Sequence, residues 1–208
     1  RSHNREKIKE LASGQLKDEA NAWFVGEPFK VFYDYKKEGI WQLGEEAAAA
    51  ANGQEPGDIK VQDVDGNGVI TTDDRIIYSQ RPDVTFGFNN TFNYKGFDLS
   101  VFLYARLGQW IAYDYNTTYR INALENGGNV DYWTPENPTN AFPRPNKSKS
   151  YTQVTYYSTL KYEDGSFFKI RDITLGYTFK PELLKHLNLS RLRVYATAKN
   201  FFTFSKID

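Results

Sequence analysis

A chain of 208 residues with 26 basic and 26 acidic side chains carries no net charge, so it lacks the electropositive footprint of a nucleic-acid partner. It has no cysteine, which removes disulfides, thiolate metal sites and cysteine nucleophiles. Aromatic residues are abundant at 16%, yet no apolar run approaches the ~20 residues of a membrane helix, so any membrane-spanning part must be a β-barrel.

The length allows one or two domains with a respectable core. The first residue is Arg1, and the last, Phe-Ser-Lys-Ile-Asp, follows directly on a strand pattern. The expectation is a piece of a longer polypeptide, so the lack of a targeting signal carries no information.

Residues 1–22 are polar and loop-like, with room for one helical turn around Ile8 and Leu11. Between Pro28 and Lys37, Phe29, Val31, Tyr33 and Tyr35 alternate with Lys30, Phe32, Asp34 and Lys36. That stretch is short for a tilted membrane strand of ~9–11 residues, and it predicts a surface hairpin turning at 37–39. Residues 45–51 (EEAAAAA) predict a short helix with acids in its first turn and Asn52-Gly53 as its stop.

After Pro56-Gly57-Asp58 comes a stretch with the spacing of an EF-hand calcium loop. Asp63, Asp65 and Asn67 hold positions one, three and five, Gly68 position six, and Ile70 the apolar position eight. The Val69 carbonyl supplies position seven, Thr71 acts through a water, and Asp74 stands at position twelve in place of the usual Glu. A hard cation wants six to eight oxygens at once, and a loop of this length wraps them around one point. Ca²⁺ is the expected ion, with Mg²⁺ as the alternative. No flanking helix pair is evident, so the ion would staple a loop rather than open a groove. The competing reading is an Asx-rich turn whose side chains cap their own backbone without metal.

The clearest periodicity lies in 84–107. Val84, Phe86, Phe88, Phe92 and Tyr94 share one face of a strand, with Asn90 as its one polar member. After Lys95-Gly96 the pattern restarts with Phe97, Leu99, Val101, Leu103, Ala105 and Leu107, which predicts a hairpin. Residues 108–166 then show little periodicity and repeated prolines, a length at which loops are usually functional. Trp110, Tyr113, Tyr115, Tyr119, Tyr132 and Trp133 crowd this loop and are candidates for stacking on sugar rings, against the alternative that they pack the loop itself. Alternation resumes at Phe167, with Ile173, Leu175, Tyr177 and Phe179 opposite Asp172, Thr174, Gly176 and Thr178. Residues 181–187 predict a brief helical connection. A last strand, 192–204, sets Leu192, Val194, Ala196, Ala198, Phe202 and Phe204 against Arg193, Tyr195, Thr197 and Lys199.

Short turns at one end and long loops at the other are the asymmetry of outer-membrane barrels. The chain is therefore expected to be all-β, part of a large antiparallel transmembrane β-barrel. Residues 1–83 would form an extracellular excursion carrying the short hairpin and the metal loop, and 84–208 the barrel strands with their long extracellular loop at 108–166. A soluble antiparallel sandwich alternates in the same way and is the alternative, as a calcium-stapled carbohydrate-binding module. An enzyme is not expected. The only histidines, His3 and His186, sit in no metal-ligand pattern, there is no G-x-S-x-G, and the Asp73/Asp74 pair reads as part of a turn.

The runs PGDIKVQDVDGNGVITTDDR (56–75), YKGFDLSVF (94–102), FFKIRDITLGYTF (167–179) and LRVYATAKNFFTFSK (192–206) resemble the C-terminal barrel of SusC/RagA-type TonB-dependent outer-membrane transporters, as do HNREKI (3–8) and GEPFKVFYDYKKEGIWQ (26–42). The resemblance implies a barrel of about 22 strands plugged by an N-terminal domain. It also implies a Gram-negative outer-membrane location, energy from the TonB complex through an N-terminal part absent here, and a SusD-like surface lipoprotein as lid. The implied cargo is oligosaccharide, with oligopeptides in some members.

Overall fold

The turn at Lys95-Gly96 has both residues at positive φ, +48° and +92°. This conformation matches the right-handed twist of paired strands and makes a two-residue hairpin tight. It joins the first two long strands, Val84–Tyr94 and Phe97–Leu107, with Tyr94 opposite Phe97, Phe92 opposite Leu99 and Phe86 opposite Ala105. The computed structural model describes residues 1–3, 5–12, 14–114, 129–148 and 153–207.

The third and fourth long strands, Phe167–Thr178 and Arg193–Ser205, continue the sheet beyond the second. The short strand Ser2–His3 adds to the outer edge of the first, where the sequence suggested only loop. The sheet is five-stranded and antiparallel throughout, and it does not close on itself in this chain. Its register aligns the apolar rows predicted strand by strand. Phe88, Leu103, Ile170 and Phe202 form one row across four strands, and Phe92, Leu99, Leu175 and Ala196 another. A bulge between Ile170 and Asp172 keeps the rows in phase: Ile170 and Ile173 lie three apart in sequence, yet both fall on the apolar face. The fourth strand matches it with Asn200 at φ +52°.

The opposite face is mixed, with Phe102, Tyr104, Phe167 and Tyr195 set among polar residues. Thr174 and Thr197 exchange a hydroxyl hydrogen bond of 2.9 Å. Arg193 donates to both carboxylate oxygens of Asp98, at 2.9 and 2.5 Å, reaching over the intervening third strand at Gly176. A Cβ on Gly176 would lie 2.5 Å from the Arg193 guanidinium, so only a glycine leaves room for the pair.

Residues 1–6, 81–110 and 164–208 form one compact unit around this sheet. It has little buried core of its own. Of the fully buried hydrophobic residues described, only Ala105 and Leu184 belong to it. On the apolar face Phe86, Phe88, Phe92, Phe97, Leu175, Phe202 and Phe204 are 37–60% exposed. Left in water, each would forfeit ~1 kcal/mol of burial. A sandwich would need a second sheet over these rows, and none of the described residues forms one. Nothing in the fold explains Asn90, which sits among them opposite Val101. Among the described residues no helix is long and apolar enough to cross a membrane.

Residues 7–80 and 111–163 form the second unit, with a conventional core of Ile40, Ile59, Val61, Trp133 and Leu160. The two excursions assigned separately from sequence thus make one body. The helix forms at Glu46–Ala51 as expected. The expected hairpin at 37–39 does not. Val31–Asp34 pairs instead with Ile76–Ser79, and Lys37–Ile40 with Ile59–Val61. The Tyr78 ring buries against the first pair and its hydroxyl donates to the Tyr35 carbonyl at 2.8 Å, while Ile40, Ile59 and Val61 of the second pair enter the core. The helical turn suggested near Ile8 and Leu11 is also absent: Ile8 makes a parallel bridge to Val25.

Candidate functional site

The acidic loop is built from short-range hydrogen bonds. Asp63 accepts from the backbone N–H groups of Gly66 and Gly68, both at 2.7 Å. Asp65 accepts from the N–H and the side-chain amide of Asn67, at 3.0 and 2.7 Å, and Asn67 accepts from Val69 N–H at 2.8 Å. Gly68 takes φ +83°, the bend expected at position six. The loop is tied to the preceding helix where Ile70 N–H donates to the Asn52 side chain at 2.9 Å.

Asp74 closes it. One carboxylate oxygen accepts from Val64 N–H at 2.8 Å and the other from Thr71 N–H at 2.7 Å, while Thr71 Oγ1 accepts from Asp73 N–H. This reciprocal cap starts the 3₁₀ turn Thr72–Asp74. Asp74 is fully buried, and the Thr71 N–H bond, with others from Val64 and Asp65, holds its carboxyl below the usual carboxylate range against the opposing effect of burial.

Carboxylate oxygens of Asp63, Asp65 and Asp74 lie within 4.8 Å of one another. Oxygens bound to one Ca²⁺ at 2.3–2.6 Å lie at most about 5 Å apart, so this spacing is compatible with a shared ion. The Asx-turn hydrogen bonds coexist with that fit, because each carboxylate offers about four acceptor directions. The Val69 side chain is exposed.

The aromatic candidates separate. Trp133 is buried in the core of the second unit, and its indole N–H donates to Gln42 Oε1 at 2.9 Å. Its ring is enclosed by core residues and is not a stacking surface, which corrects its assignment as a cargo contact. Tyr132, its neighbour, is 43% exposed, and Trp110 and Tyr113 are half-buried. Tyr115 and Tyr119 lie outside the described residues.

No protein-family model matches the chain. It is 31% identical to TonB-dependent receptor P3 of Formosa agariphila, over 98% of this chain and 22% of that protein. To TonB-dependent receptor SusC of Bacteroides thetaiotaomicron it is 32% identical, over 69% of this chain and 14% of that protein. The chain belongs to the TonB-dependent receptors. The backbone of this receptor chain is similar to a solved structure of the RagAB peptide transporter, with a TM-score of 0.67 at 22% identity, over 98% of this chain and 23% of that one. The receptor chain spans about a fifth of the length of the first of these relatives. Its relatives are receptors and transporters, which supports the reading of a non-enzyme.

Sequence reasoning missed the residues that position the long loop of the receptor chain. The Asn140 side chain accepts from Ile40 N–H at 3.0 Å, and Lys37 donates to the Ala141 carbonyl. Burial pushes the Lys37 amine below its ordinary value. Arg144 pairs with Glu55 at 2.6 Å, and Arg144 N–H donates to the Gly57 carbonyl at 2.8 Å. A Cβ on Gly57 would come within 2.6 Å of the Trp133 ring.

Proposed function

We propose that this chain forms part of the wall and outer loops of a Gram-negative outer-membrane importer that takes up oligosaccharides, driven by TonB and served by a SusD-like surface lipoprotein. The observation that carries this reading is the set of aligned, exposed apolar rows opposite a mixed, more polar face, in a family whose members are outer-membrane β-barrels. Lipid tails remove the cost of that exposure. Both long connections leave the same end of the sheet, so 1–83 and 108–166 lie on the extracellular side in this reading. Tyr132, Trp110 and Tyr113 are its described cargo candidates.

The loop of Asp63, Asp65, Asn67, Val69 and Asp74 holds Ca²⁺, with Mg²⁺ as competitor, and fixes residues 56–82. It has no part in transport chemistry beyond shaping the outer unit.

A second reading, import of oligopeptides, is favoured by the similarity to the RagAB peptide transporter. Uptake of labelled oligosaccharides and labelled oligopeptides by cells expressing the full-length receptor, with and without TonB, separates the two. TonB-dependent accumulation of oligosaccharide supports the first reading. Accumulation of peptide alone replaces it with the second, and no TonB-dependent uptake of either contradicts both.

A further inference from the structure

We propose that residues 180–191, the connection between the third and fourth long strands, form an interfacial anchor in the headgroup–acyl boundary of the leaflet at the turn end of the sheet. This rests on the reading of the sheet as membrane-spanning.

The connection is folded, with a helix at Pro181–Leu184 and a 3₁₀ turn at Lys185–Leu187, and its base is closed where Phe179 N–H donates to the Leu192 carbonyl at 3.0 Å. Leu184 packs inward at 2% exposure, but Leu183, Leu187 and Leu189 are 60%, 63% and 45% exposed. A solvated turn gains nothing from three exposed leucines. They continue directly from the apolar face: Phe97, Tyr177 and Phe179 form an aromatic chain, with ring centroids 4.6 and 5.0 Å apart, at the edge where the connection begins. Aromatic girdles of this kind mark the membrane–water interface. Lys180, Lys185 and Arg191 are exposed around the leucines, with Glu182 as the one acid beside them. Apolar side chains ringed by cations are the pattern of segments that lie in the interface, with ammonium and guanidinium groups reaching lipid phosphates.

The test uses the full-length receptor in a background without other cysteines, carrying Leu187→Cys or Leu175→Cys with a nitroxide label. Each variant is reconstituted into vesicles of phosphatidylethanolamine and phosphatidylglycerol, and collision with oxygen and with a water-soluble nickel chelate is measured. The expected result is that both labels meet oxygen more often than nickel, with the excess smaller at Leu187 than at mid-face Leu175. A Leu187 label that favours nickel places the connection in water, and one that meets neither places it against protein. Either outcome overturns the anchor while Leu175 still favours oxygen. Failure at Leu175 itself overturns the membrane reading beneath it.

Discussion

At the residue scale the loop turns on Asp74. Its carboxyl is held below the ordinary value near ~3.9, so it stabilises the loop fully above that pH, and the contribution is lost as pH falls through its own lower pKa. Protection of the Val64 and Thr71 amides, taken relative to the intrinsic exchange rate at each pH, is therefore expected to hold above about pH 4 and to be lost as pH falls below it. Asp74→Ala strands both donors and should cost ~2–3 kcal/mol of local stability at neutral pH. Exchange rates at those amides check this, and unchanged rates would contradict it. Asp63→Ala with Asp65→Ala should loosen 56–82 to protease without stopping barrel assembly. Chelator should do the same to the native chain, and protease sensitivity unchanged by chelator removes the metal. The turn from Asp63 to Asp74 was legible because its internal hydrogen bonds span ten residues or fewer, while its tie to Asn52, 18 positions from Ile70, was not. The fate of Trp133 was not, since its partner Gln42 is 91 positions away.

At the element scale, the long strands could be read because eleven or more alternating residues leave one consistent phase. Short ones such as Val31–Asp34 have too few residues to name a partner, and tertiary packing chose one for them. The bulge at Ile170–Asp172 showed only as a slip in the apolar spacing. The docking of the long loop depends on Gly57, whose contacts with Trp133 and Arg144 come from residues more than 70 positions away. Gly57→Ala should push Trp133 and Arg144 from their places. The expected outcome is a less protected 131–144 segment in limited proteolysis while the sheet still assembles; native protection would contradict the docking. Gly176→Leu should break the Asp98–Arg193 pair in the same selective way, read as loss of any effect of a further Asp98→Asn change.

At the scale of the whole molecule, the two units bury hydrophobic residues by opposite rules. The second unit gathers Ile40, Ile59, Val61, Trp133 and Leu160 inside, whereas the sheet turns its phenylalanines outward. Alternation in the sequence could not choose between a sandwich and a barrel, because both demand the same two-residue period. The likeness of the backbone to a solved RagAB transporter favours the barrel. The central claim is that these rows meet lipid. Its most direct test compares full-length receptors carrying Leu175→Arg and Thr174→Arg, neighbours on opposite faces of one strand, for assembly in the outer membrane. A cation on the lipid face costs ~2–4 kcal/mol at mid-bilayer, so Leu175→Arg should be depleted from the membrane while Thr174→Arg assembles. Equal assembly of both, or loss of Thr174→Arg alone, would contradict the account.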